Sequence, residues 1–321
     1  MSSVTAGAPL PSHLSRRTFL RTGSFLLAAG FVAGGPGRLL AATQVHKIRL
    51  GSAEITVLSD GVFSLPRSIV LPDTPEADAA ALLKAHGDAA AAVLQTNVTL
   101  VRQGNVLALI DAGAGPDFMP SLGKLGDRLE AAGIASDAVT HVIFTHAHAD
   151  HFWGVLDPFD DASRFPKARH VMTRAERDFW LQPDAENNVP AFQKGMAAGI
   201  QRRLKSMAEV IQVVAPGAEI APGLALVATP GHTPGHVSVA LRSGTEELLV
   251  LGDALTHAGV SFQAPQWRWG SDLDPDKAVT TRKSLLDDLA HRKVAVIGYH
   301  LPWPGLGRVE RQAGAWRFVQ G

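Results

Sequence analysis

The 321-residue chain reads as an α+β protein, one domain in which two sheets pack together and helices lie outside. Strand-type and helix-type stretches occur in both halves, with no linker, short repeat or low-complexity tail between them. Hydrophobic residues make up 46% of the chain, enough for one large core.

Residues 47–61, "KIRLGSAEITVLSDG", alternate and are β-branched, as expected of strands joined by a short turn. The Ala-rich stretch 76–95 predicts a helix, and 97–113, "NVTLVRQGNVLALIDAG", predicts a hairpin turning at "QGN". Asn97 opens a glycosylation sequon, but its strand setting makes that a chance match. A helix over 117–133 and a buried strand running into the loop of "AVTHVIFTHAHADH" follow. Residues 170–210 read as mostly helical. Strands are expected at 224–229, 236–241 and 248–252, a helix at 275–291, and a last buried strand in "KVAVIGYH", 293–300.

Composition narrows the chemistry. The formal net charge is zero and the pI near 7.3, so no basic field draws nucleic acid or an anionic membrane, and a polyanionic substrate is disfavoured. With no cysteine, disulfides, thiolate metal sites and cysteine nucleophiles are excluded, and any metal must be held by nitrogen and oxygen.

At the N-terminus, "SRRTFLRTGSFLLAAGFVAGG" places Arg16 and Arg17 before a moderately apolar stretch, with small residues following near 39–43. Ser15, Arg16, Arg17, Phe19 and Leu20 resemble a twin-arginine export signal. Gly23, Gly30, Gly34, Gly35, Pro36 and Gly37 interrupt the run, leaving it short of the roughly 20 apolar residues a spanning helix needs. The expectation is therefore a signal peptide over 1–42, a catalytic domain over 43–321, passage through the twin-arginine export machinery, and a periplasmic or secreted protein with no stable membrane span after processing.

The segment "THAHADH", 145–151, puts three histidines and an aspartate directly after an apolar strand. His146 and His148, at i and i+2 on a loop, can aim at one ion, while Asp150 and His151 emerge on the other side toward a second. Two ligands are too few for either ion, so the remainder must come from later in the chain. His232 in "ATPGHTPGH", Asp253 in "LLVLGDAL" and His300 in "VAVIGYHLPWPG" each stand at the end of an apolar strand pattern, beside a glycine that permits a tight turn. His236 rivals His232 within its stretch.

These residues, in this order, resemble the metallo-β-lactamase superfamily, whose pattern is HxHxDH, then H, D and H. The resemblance covers roughly residues 45–318 and implies a four-layer αββα sandwich. It assigns His146, His148 and His232 to one metal and Asp150, His151 and His300 to the other, with Asp253 bridging and His236 left in a supporting place. Asp111 in "ALIDAGAG" matches a family position near the metals, where it is expected to orient a ligand histidine. The implied cofactors are two divalent ions, zinc first, with manganese, iron or cobalt as alternatives that His and Asp ligands do not discriminate. Such a pair lowers the pKa of a shared water, so the expected reaction is hydrolysis by a bridging hydroxide, with Asp150 passing a proton to the leaving group.

Departures from sister families narrow the expectation. The β-lactamases of the superfamily lack the bridging aspartate, and only 21 residues follow His300, too few for the helical region of glyoxalase-II-like thioesterases. Nucleic-acid-processing members need an inserted domain and a basic surface, which this chain lacks. "THAHADHFWGV", "ERDFWL" and "YHLPWPGLG" look most like the methyl parathion hydrolase and lactonase branch. That resemblance implies a small neutral apolar ester as substrate, a homodimer, and an apolar pocket shaped by Phe118, Trp180 and Phe192. Lactones are expected first and organophosphate triesters as the alternative, with an iron-dependent sulfur dioxygenase a more distant one. Tyr299 precedes His300 on a strand, so alternation points it away from the metals and leaves the carbonyl-polarising tyrosine of some lactonases unfilled.

Overall fold

Strand β1 (Val45–Leu50) turns through Gly51 into the long β2 (Ala53–Pro66). The computed structural model describes residues 44–88 and 91–321, and the export signal expected over 1–42 lies outside them. Two short helices, α1 (Arg67–Val70) and α2 (Glu76–Ala85), lead to the hairpin of β3 (Ala91–Gln103) and β4 (Val106–Ile110), which turns at Gly104. Helix α3 (Leu125–Ala131), β5 (His141–Ile143), α4 (Ala149–Phe152), β6 (Arg169–Thr173), α5 (Arg174–Trp180), α6 (Lys194–Ser206) and β7 (Ile211–Val214) complete the first half. The second contains β8 (Glu219–Ala221), β9 (Leu224–Ala228), β10 (Val237–Ser243), β11 (Glu246–Val250), α7 (Val260–Gln263), α8 (Pro275–Arg292), β12 (Ala295–Ile297), β13 (Leu306–Gln312) and β14 (Ala315–Gln320).

The strands form two seven-stranded sheets in simple sequential order, β1 to β7 and β14 back to β8. Alternation along each strand sorts side chains between the layers. Ile55, Val57, Ile110, Ile143 and Val171 of the first sheet meet Leu226, Val239, Leu241, Val250 and Ile297 of the second in a core between the sheets. Their neighbours one residue along, such as Leu58, Leu109 and Val142, turn to the outer face and pack under Leu129, Phe152 and Leu204. On the far side Ala240, Leu249 and Val296 pack under Phe262, Leu285 and Leu289. The result is the αββα sandwich, with apolar contact on both faces of both sheets. Among the described residues no helix is long and apolar enough to cross a membrane.

Three element assignments differ from expectation. The helix expected over 76–95 stops at Ala85, because β3 pairs residue by residue with β2 from Ala91 onward and that pairing overrides the helical bias of alanine. The helix expected over 117–133 shrinks to α3, because the buried Asp60 carboxylate accepts the backbone N–H groups of Ala114, Gly123 and Leu125 and holds the intervening chain as a loop. Burial pushes the Asp60 pKa up to about 6, against those three hydrogen bonds. The stretch 170–210 begins with strand β6, which pairs in parallel with β5 and β7.

Strands β4 to β7 run parallel, as do β11 and β12. β9 and β11 both lie antiparallel to β10, so they share one direction. The C-terminal ends of β4, β5, β9, β11 and β12 carry Asp111, the 145–151 loop, the 229–236 loop, Asp253 and His300, and the ligands from these loops gather in two adjoining groups. That is where parallel strands leave room for a site.

Candidate metal centre

His146, His148, His232 and Asp253 bring one ligand atom each within 4.8 Å of one another, and Asp150, His151 and His300 do the same beside them. All seven are buried. His148 Nδ1 lies 3.0 Å from His146 Nε2 and 2.9 Å from His232 Nε2. Asp253 sits between the groups, with Oδ1 3.2 Å from His151 Nε2 and Oδ2 3.2 Å from both His232 Nε2 and His300 Nε2. Asp150 Oδ2 lies 3.3 Å from His300 Nε2 and 3.6 Å from His151 Nε2.

These spacings fit metal ions. Ligand atoms about 2.0–2.1 Å from a tetrahedral ion stand roughly 3.3 Å from each other. His151 Nε2 and Asp253 Oδ1 are both buried and have no hydrogen-bond partner among the described residues, although each faces the cluster. A cation between them satisfies both, and an all-nitrogen-and-oxygen donor set of this kind suits zinc and its first-row neighbours.

The surroundings fix the ligand rings. His151 donates its Nδ1 proton to Asp111 Oδ2 at 2.8 Å, while Asp111 also accepts from the Thr145 N–H and hydroxyl, both at 2.8 Å. Asp111 adopts a positive φ of 64°, a strained conformation for an aspartate that these three bonds hold in place. His232 donates from Nδ1 to Asp272 Oδ1 at 2.9 Å, and His300 donates to the Gln95 carbonyl at 2.6 Å. Each ring is thereby held with Nε2 facing the cluster.

His236 stands beside the cluster without joining it. Its Nδ1 is 3.0 Å from the Thr229 carbonyl, and its Nε2 accepts the Asp253 backbone N–H at 2.9 Å. Its role is to place Asp253. Gly252 precedes that aspartate at φ 54°, and a Cβ there would come within 2.7 Å of His236 Nε2, so the turn requires glycine.

Electrostatics prepares His146, His148 and Asp253 in the forms that bind ions and leaves the other histidine ligands protonated. Burial, then the neighbouring His151 and His232, hold His146 and His148 well below the usual histidine range, so they are neutral with free lone pairs. Burial opposes ionisation of Asp253, but His300, His151 and His232 hold it well below the usual carboxylate range. Burial lowers His151, His232 and His300, but the Asp253 carboxylate outweighs it, holding His151 well above the usual histidine range and raising His232 and His300 to about 9, so these three rings carry protons that a bound cation must displace.

A cavity of about 140 Å³ opens onto the cluster. Phe118 and Phe192 line it, with Phe63, Leu94, Met196 and Trp269. Trp180 does not, which corrects its expected place in the pocket wall. It is fully buried behind His148, ring centroids 5.7 Å apart, and donates its indole N–H to Glu176 at 2.7 Å. Tyr299 faces away from the cavity but not from the ligands. Its ring stacks on His151 at 3.8 Å and its hydroxyl donates to the Asp150 carbonyl at 2.6 Å. A larger groove of about 470 Å³ lies against β1 and β2, lined by Lys47, Arg49 and Arg102, and carries no ligand cluster.

Glu176, Asp272 and Arg282 support the site without any motif in the sequence to mark them. A model of the metallo-beta-lactamase superfamily matches residues 91–299. The uncharacterized protein YobT of Bacillus subtilis is 31% identical over 182 residues, which are 56% of this chain and 70% of YobT. Among solved structures, the dizinc quorum-quenching lactonase AidC superposes with a TM-score of 0.82 at 28% identity, covering 88% of this chain and 98% of its own. The hydrolase AbOPH, of the beta lactamase superfamily, gives 0.79 at 27% identity, covering 87% and 98%. The chain belongs to the metallo-beta-lactamase superfamily. Within it, the chain is a metal-dependent hydrolase.

Proposed function

We propose that this hydrolase cleaves neutral, apolar esters, lactones first and aryl phosphotriesters second. The cavity over the cluster carries the reading. Its walls are mainly aromatic and aliphatic, with Gln193 and Ser271 as neutral polar members, and its ionisable members are the ligands His148, Asp150, Asp253 and His300. A substrate that buries an apolar body there gains free energy from desolvation, whereas a charged one meets no opposite charge outside the ligand cluster. The likeness to AidC, a lactonase seen with an N-hexanoyl-L-homoserine product, supports the lactone over the phosphotriester.

Paired divalent ions, held by His146, His148 and His232 on one side and Asp150, His151 and His300 on the other with Asp253 between, would supply Lewis acidity to acidify water and polarise a carbonyl or phosphoryl oxygen. The chain's own residues do the rest. Asp253 holds the two ligand groups at one spacing, and Asp272 and Asp111 keep the His232 and His151 rings oriented. Phe118, Phe192 and Trp269 exclude bulk water and hold the apolar body of the ester. Asp150, at the cavity wall and held below the usual carboxylate range by His151 and His300 against its burial, is the group proposed to take the proton that the attacking water gives up and pass it to the leaving oxygen. The arginine pair Arg16 and Arg17 motivates the further proposal that the enzyme is exported and works outside the cytoplasm.

The deciding experiment compares kcat/KM of the metal-loaded enzyme on an aromatic lactone and an aryl phosphotriester. Preference for the lactone is expected. Turnover of neither, together with oxygen uptake on a sulfur substrate, would replace hydrolysis with dioxygenase chemistry.

A further inference from the structure

Glu176 is a carboxylate with no exposure to solvent, and four donors converge on it. Oε1 accepts from the Ala147 N–H at 2.9 Å and the Trp180 indole at 2.7 Å. Oε2 accepts from the Thr233 hydroxyl at 2.5 Å and the Gly235 N–H at 3.2 Å. Ala147 lies between the ligands His146 and His148, on the loop after β5 of the first sheet. Thr233 and Gly235 follow the ligand His232, on the loop after β9 of the second. One side chain therefore ties together the two loops whose histidines converge, with one oxygen mainly for each loop.

Local helix chemistry does not account for this arrangement. Thr173 and Glu176 have the spacing of a capping box, in which the glutamate would reach back to the backbone N–H of the capping threonine. The Thr173 hydroxyl does accept from the Glu176 N–H at 3.3 Å, but the Glu176 carboxylate turns into the molecule instead. The second loop comes so close to α5 that a Cβ on Gly235 would lie 2.1 Å from the Glu176 backbone nitrogen. The Thr173 hydroxyl also donates to the Gly235 carbonyl at 2.7 Å. The two loops are joined at their roots as well, by the Val237 N–H to the Thr145 carbonyl at 3.0 Å, so Glu176 acts farther out, where the ligands are. A buried carboxylate is a costly way to fill space, since an apolar side chain of that size serves stability as well. What it adds is a fixed register between groups that must meet.

We propose that Glu176 is a positioning residue that sets the spacing between the His146–His148 loop and the His232 loop. The three-histidine cation site then depends on it, while the site of Asp150, His151 and His300, which it does not touch, does not. The inference rests on the two-metal reading of the cluster. Trp180, held by Glu176 and edge-on to His148, belongs to the same brace.

The test is a Co²⁺ titration of the chelated full chain, read by visible absorption, with bound metal counted after dialysis. Wild type, Glu176→Ala, Glu176→Gln and Thr233→Val are compared. Wild type is expected to hold two ions. Glu176→Ala should lose about 10–100-fold in affinity at one site, with a changed spectrum there, and keep the other unchanged. Glu176→Gln, which keeps one acceptor oxygen, should recover part of the loss. Thr233→Val removes a single donor without changing side-chain size and should shift the same site less; it carries the test if Glu176→Ala does not fold. Wild-type affinities and spectra at both sites in Glu176→Ala, or in Thr233→Val where that variant carries the test, with only Tm lowered, would overturn the inference. Fewer than two ions in wild type would overturn the two-metal reading, and the inference with it.

Discussion

His232 donates its Nδ1 proton to Asp272 across 2.9 Å, and neither residue is more than 4% exposed. The other Asp272 oxygen accepts from the Arg282 guanidinium at 2.9 Å, and Arg282 also donates to the carbonyls of Pro265 and Trp267. The buried guanidinium thus fixes one oxygen of the aspartate, and the other oxygen keeps the histidine facing the cluster. Asp272→Asn should cost about 10–100-fold in metal affinity, measured by competition with a chelator. Arg282→Met should leave a buried carboxylate unpaired and lower the unfolding free energy by about 3–5 kcal/mol in urea.

Tyr299 can be divided into its ring and its hydroxyl. Tyr299→Phe keeps the stack on His151 and loses only the bond to the Asp150 carbonyl, for about 1 kcal/mol of stability and little change in kcat. Tyr299→Ala removes the ring behind His151 and should cost about 3–5 kcal/mol, as large aromatic truncations do. A large fall in kcat for Tyr299→Phe would mean that the hydroxyl meets the substrate.

The pocket and the brace separate kinetically. Phe118 lines the cavity, so Phe118→Ala should raise KM for an aryl lactone roughly tenfold by lost apolar contact, with two ions still bound. Trp180→Phe should do the reverse, leaving the cavity wall intact while weakening metal binding through Glu176.

His170 gives a pH signature of stability. Burial lowers its pKa from 6.5 to about 4 in the folded chain. Below pH 6.5 the unfolded chain binds a proton that the folded chain refuses, so stability is full above 6.5 and is lost as pH falls toward 4. At pH 5 the loss amounts to about 2 kcal/mol. His170→Phe, beside the stacked Phe144, should remove that share of the slope between pH 7.5 and 5 in paired urea titrations.

Ligands were legible in the sequence because each stands at the end of an apolar strand with its own short motif, and strand ends converge in a sandwich of this kind. Asp111 was readable for the same reason. Glu176, Asp272 and Arg282 are not, because their bonds to the ligand loops and to one another span 10 to 59 residues of sequence, through backbone groups, side chains and a ring nitrogen that leave no pattern. Glu176 was further hidden by spacing that reads as a helix cap. The resemblance points the aromatic Trp180 to the pocket, and a match of that kind does not say which side of His148 a ring occupies. The element bounds failed where tertiary bonds override local preference, at the β2–β3 pairing beyond Ala91 and at the loop gathered around Asp60.

Two ions held on either side of Asp253 are proposed to make this chain a hydrolase of neutral esters. Chelated enzyme titrated with Zn²⁺ while it turns over a neutral aromatic lactone tests it most directly. Turnover should climb to two equivalents per chain and then level, and Asp253→Ala should stay inactive at any zinc concentration. Full turnover at one equivalent, or an active Asp253→Ala, would contradict the proposal.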